Sequence, residues 1–188
     1  MSDIADMAEI AASPPPQRDW LLTSARVLVT ICRILVITVG LILIAAMIGI
    51  LFQQADVMHQ LVEQRVGVPT WQVLTAFELA IGFIVAMIAC AQEWLKQLQH
   101  LMGSVSDGDP FAPVNAERLT RMGWLTVAIQ LLAIPVGGIG HWLESAVKEA
   151  THDFGISLGG FLLALVLFIL ARVFRHGTTL RAELEGTV

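Results

Sequence analysis

An all-α membrane protein of four transmembrane helices, packed as a small bundle with a central polar loop, is the fold class this sequence predicts. Three observations carry it. Apolar residues make up 56% of the 188-residue chain and charged residues only 14%, whereas soluble domains carry roughly a quarter charged residues. The apolar residues fall in four blocks, about 34–52, 71–91, 122–140 and 155–171, each near the ~20 residues that cross a hydrocarbon core. Basic residues crowd onto alternate connections between these blocks, the charge pattern of a multi-pass protein.

In chain order, residues 1–24 read as a mobile tail. Asp3, Asp6, Glu9 and Asp19 are interleaved with the break Pro14-Pro15-Pro16, and an acidic start lacks the positive n-region of a cleavable signal peptide. Residues 25–176 form the membrane domain, and 177–188 a second tail. The first span, Ile34 to Phe52, is an uncharged run that follows Arg26 and Arg33. As a helix it is about 28 Å long, close to the roughly 30 Å of a bilayer core. The second span, Trp71 to Ala91, carries a single carboxyl group, Glu78. Beyond it, Glu93 to Met102 places Trp94, Leu95, Leu98, Leu101 and Met102 on one stripe. Such a stripe either extends the span or lies along the membrane surface.

The middle of the chain, Ser104 to Trp124, is the long polar interruption between two helical hairpins. Asp107-Gly108-Asp109-Pro110 is turn material, since glycine tolerates positive φ and proline pushes the preceding residue out of the helical region. Pro113 repeats the break, Asn115 is placed as an N-cap, and Glu117 falls in the first turn beside the positive helix end. Phe111, between two prolines, reads either as an anchor into the bilayer surface or as a docking side chain. The third span, Met122 to Gly140, contains Gln130 and is interrupted by Pro135. Residues Gly140 to Asp153 read as a further short helix with His141, Glu144, Lys148 and His152 near one face. The fourth span, Gly155 to Ala171, is closed by Arg172.

Charge sets the orientation. Arg18, Arg26, Arg33, Lys96, Arg118, Arg121, Arg172, Arg175 and Arg181 flank one face, and only Arg65 and Lys148 the other. The positive-inside rule places both termini and the central loop on the cytoplasmic side of the membrane. All five tryptophans fall near span boundaries, where amphipathic rings prefer to sit. The net charge of −5 supplies no basic patch for direct nucleic-acid binding.

Side chains with chemical potential each have a structural alternative. Glu78 and Gln130 are the intramembrane polar groups. A carboxyl within a span is costly and marks either proton coupling, as in a small transporter or channel subunit, or a structural hydrogen bond. His141, Glu144 and His152 are metal-ligand types without a second tight motif, equally at home in a polar outer loop. Gly155-x-x-x-Gly159 with Gly160 permits close helix approach, inside the bundle or between two copies. Cys32 and Cys90 are read as packing residues. No phosphate-binding glycine loop, HExxH pair or nucleophile elbow is present, so neither an enzyme nor a cofactor is expected.

The stretches GDPFAPVNAERLTRMGW and ARVFRHGTTLRAELEGTV resemble the bacterial membrane family catalogued as domain of unknown function 2975. The matching positions are Gly108, Pro110, Phe111, Asn115, Leu119, Phe174, Gly177, Leu180, Arg181, Glu185, Thr187 and Val188. Thr120 stands where the family often has arginine, with Arg118 and Arg121 on either side. The resemblance implies a four-helix inner-membrane protein and, from gene neighbourhood in the family, a partnership with a Cro-type helix-turn-helix regulator. On that basis Phe111, Asn115, Arg118, Arg121, Phe174, Leu180, Arg181 and Leu184 are expected to form a docking surface for such a partner, in a non-enzymatic sensor or tether. Leu180 and Leu184, one helical turn apart, are suited to pack on the partner or on the middle loop.

Overall fold

Each apolar block becomes a helix longer than a membrane requires. The computed structural model describes residues 20–52, 69–147 and 157–185, in four helices: α1 (Trp20–Phe52), α2 (Thr70–Ser106), α3 (Pro113–Val147) and α4 (Leu158–Glu185). All four are long and apolar enough to cross a bilayer. At 1.5 Å per residue the 37 residues of α2 run about 55 Å, well beyond the ~30 Å of a hydrocarbon core.

Most of the excess lies at the loop end. The stripe from Glu93 to Met102 continues α2 in a straight line, and α3 begins at Pro113, nine residues before the expected span. At the other side of that span, α3 runs on to Val147, so residues 140–147 prolong α3 instead of forming a separate short helix. Pro135 sits inside α3 without ending it, as membrane helices tolerate where neighbouring groups can re-satisfy a freed carbonyl. Likewise α4 carries 177–185 as helix continuous with the fourth span.

Consecutive helices pack against each other, α1 on α2, α2 on α3 and α3 on α4, and among the described residues no other pair makes close backbone contact. α1 and α2 approach closely where Gly40 faces Ile88, since a Cβ on residue 40 would lie 3.1 Å from the Ile88 side chain. Nearer the loop, polar bonds join them. Arg26 donates to Ser106 Oγ at 3.1 Å, Gln99 donates to Thr30 Oγ1 at 3.1 Å, and Gln92 donates to the Arg33 carbonyl at 2.9 Å. Arg33 also donates to Gln99 Oε1.

Burial is concentrated toward the loop. Leu119, Met122, Leu167 and Ala171 form a core against which Trp94, Leu98, Leu101 and Phe174 pack. Trp124 meets Phe168 edge-on at 5.4 Å, a preferred aromatic geometry. Gly123 permits this approach, as a Cβ there would come 2.8 Å from the Phe168 ring. Outward faces are apolar: Ile34, Leu41 and Ile42 on α1, and Leu162, Val166 and Ile169 on α4, are all more than half exposed. In water such a surface would be an aggregation hazard; in a bilayer it is the lipid contact.

Candidate functional site

The loop between α2 and α3 and the last turns of α4 interlock. α2 ends by the Schellman pairing, with Asp109 N–H donating to the Ser104 carbonyl at 3.1 Å and Gly108 N–H to that of Val105 at 3.2 Å. Gly108 takes φ +81°, the left-handed conformation this ending requires and which side chains resist. The expected turn is therefore in place.

Asn115 does something other than cap. α3 starts two residues earlier, with Pro113 as its first residue, where the missing N–H costs nothing. Glu117 consequently lies beyond the first turn. Asn115 is instead fully buried, at 0% exposure. Its amide donates to Ser104 Oγ at 2.6 Å and to the Pro110 carbonyl at 2.9 Å, and its oxygen accepts from Arg118 at 2.9 Å. Arg118 reaches on to the His100 carbonyl at 3.1 Å. One side chain thus ties the loop, the end of α2 and the start of α3 together.

Phe111 points to α4. Its ring meets Phe174 at a centroid distance of 5.5 Å and a tilt of 35°, and lies over Gly177, where a Cβ would stand 3.0 Å from the ring edge. One turn further, Arg181 Nη1 donates to Asp109 Oδ1 at 2.6 Å. Loop and tail residues that sequence reading placed on one docking surface are therefore brought together, but largely against each other. Phe111 remains 43% exposed, and Leu180, at 50%, faces outward. The Leu184 side chain lies outside the described residues, as do Thr187 and Val188.

Arg121 belongs to a second junction. Glu93 receives it at 3.4 Å, pairs with Lys96 at 3.8 Å, and accepts from the buried Gln97 at 2.6 Å. Glu93 and Asp109 went unremarked as partners in the sequence. The i, i+3, i+4 spacing of Glu93, Lys96 and Gln97 was the legible half of that node; the cross-helix half was not.

The remaining candidates stand apart. Glu78 is half-buried on α2. Gln130 reaches across Gly160 to donate to the Ser157 carbonyl at 2.6 Å. A Cβ on residue 160 would stand inside the Gln130 amide group, so this glycine serves packing within the chain. Gly155 lies outside the described residues. His141 Nδ1 lies 3.7 Å from Glu144 Oε2, and His152 is outside the described residues. Among the described residues, no three His, Cys, Asp or Glu side chains converge as a metal site.

The loop and tail joined in this way are the segments whose residues resembled a known family. Residues 24–188 match the family described as protein of unknown function (DUF2975). The chain belongs to that family. The match covers every described helix except the first few residues of α1, so the four-helix membrane architecture is that of a DUF2975 member throughout. No curated protein and no solved structure matches the chain.

Proposed function

We propose that this DUF2975 protein is a non-enzymatic tether of the bacterial inner membrane, holding a cytoplasmic helix-turn-helix regulator on the face formed by its middle loop and the end of α4. Its termini and loop face the cytoplasm, supported by the nine-to-two basic asymmetry. A regulator held there is kept from DNA by location, and no catalysis is required.

The observation that carries this reading is the exposure left on a braced scaffold. Val105, Phe111, Val114 and Leu180 are 39–50% exposed, on segments fixed by Asn115, by the Phe111–Phe174 contact and by the Arg181–Asp109 pair. Apolar side chains displayed on a pre-ordered surface lose little entropy on binding. They lie at the basic end of the protein, beyond the apolar blocks expected from the sequence.

The test is recovery of the regulator encoded beside the gene with solubilised full-length protein. Val114→Arg and Leu180→Arg alter the displayed surface without touching the brace and are expected to lower recovery at least tenfold. If wild type recovers no regulator, or if both variants retain it fully, the reading fails.

A further inference from the structure

All four helices contribute to one cavity of about 470 Å³, within the 300–1,000 Å³ typical of small-molecule sites. Its walls include Cys32 and Val36 of α1, Ala91 and Trp94 of α2, Ile129 of α3 and Leu163 of α4. α1 and α4 form opposite walls with their backbones held apart: no Cα of one lies within 8 Å of the other among the described residues. The cavity therefore opens between them, and Leu163, itself 45% exposed, continues into the lipid-facing row of Leu162 and Val166. The site is an inward extension of the surface that already contacts the bilayer.

The two ends differ. Toward the interior, Gln130 and Gly160 close the cavity, with the Gln130 amide committed to Ser157. Toward the loop end the lining stops at Cys32, and Arg33, next to it on α1, lies just outside the lining. The Arg33 guanidinium bonds only a neutral amide, that of Gln99, and no Asp or Glu among the described residues pairs with it. Its Nε is buried without an acceptor. An uncompensated cation in such a position calls for an anion. It stands at the level where α2 presents Trp94 and then Lys96, the sequence of ring and charge that marks a headgroup boundary.

We propose that an acyl chain of an anionic phospholipid occupies this cavity, entering between α1 and α4 with its phosphate at Arg33 and its tail running toward Gly160. The lipid then fills the gap between α1 and α4, whose backbones stay apart among the described residues. This inference stands on the cavity and Arg33 alone and does not depend on the tether reading.

The experiment is native mass spectrometry of the delipidated full chain in detergent, titrated separately with phosphatidylglycerol and phosphatidylcholine. Wild type is expected to bind one phosphatidylglycerol saturably and at least tenfold more tightly than phosphatidylcholine. Ala91→Phe and Leu163→Trp, each filling the cavity from a different wall, should both abolish that saturable binding. Val166→Phe, on the outer face of α4, should leave it unchanged. Arg33→Gln should remove the preference for the anionic lipid while single-lipid binding persists. Equal binding of the two lipids by wild type overturns the proposal. So does phosphatidylglycerol binding that survives in whichever filled variant keeps the wild-type helical circular dichroism.

Discussion

The amide of Gln130 occupies the space that any side chain at position 160 would claim. Gly160→Val is therefore expected to evict Gln130 from its bond to Ser157 and destabilise the protein by about 1–3 kcal/mol, the usual range for overpacking. Gln130→Ala alone removes one hydrogen bond, about 1 kcal/mol. In the double variant the valine finds room, so the two losses should fall well short of additive. Unfolding of the four proteins in mixed micelles, followed by circular dichroism, measures the coupling; strict additivity would show that the two residues do not compete.

Asn115 should be the least replaceable residue of the loop. Asn115→Leu leaves the Ser104 hydroxyl and the Pro110 carbonyl without their shared donor and Arg118 with the His100 carbonyl alone, at a cost of about 2–4 kcal/mol. Asn115→Asp turns a donor into an acceptor facing two oxygens and is expected to be at least as damaging. Thermal unfolding checks both. A loss below about 0.5 kcal/mol in either variant would mean that the brace is replaceable.

Arg181 and Asp109 are paired but about half exposed, so their coupling should be modest, under about 1 kcal/mol after solvent screening. The exchange Asp109→Arg with Arg181→Asp is expected to recover part of what each single reversal loses, and less of it as salt rises. The readout is protease resistance of the α4 end in the four proteins at low and high ionic strength. If the exchanged protein is cut as fast as the worse single variant, the pair does not hold the tail.

Orientation is open to a direct check. In a cysteine-free background, single cysteines at Glu63 and Glu149 should react with an impermeant thiol reagent on intact cells, and one at Asp107 should react only after permeabilisation. Labelling at Asp107 alone on intact cells would reverse the assigned topology.

How much of this was readable beforehand follows from what each feature depends on. The spans depend on local hydropathy, and Ile34–Phe52 or Trp71–Ala91 announced themselves. The turn at Gly108 depends on local backbone chemistry and was equally plain. Helix ends were harder: Asn115 has the composition of a cap, but Pro113 had already started α3, which freed the amide for burial. The least legible features pair residues distant in sequence. Phe111 over Gly177, Arg181 on Asp109, Arg121 on Glu93 and Gln130 across Gly160 each require the register of two helices, which no periodicity in one of them contains. Glycine 177 looked like a family signature and proved to be the space Phe111 needs.

That, among the described residues, close backbone contact joins only helices adjacent in the chain bears on how the protein is made. The close helix pairs join segments synthesised one after the other, so α1 and α2 can pair as a hairpin before α3 exists, and α4 then docks on α3 and on the loop already in place. No early helix has to wait beside the ribosome for a late one. Local contacts of this kind favour rapid assembly, and domains built during synthesis proceed from the N-terminus. The order of translation is then also the order of assembly, and the last step is the arrival of α4, whose final turns bring Phe174, Gly177 and Arg181 against a loop already formed.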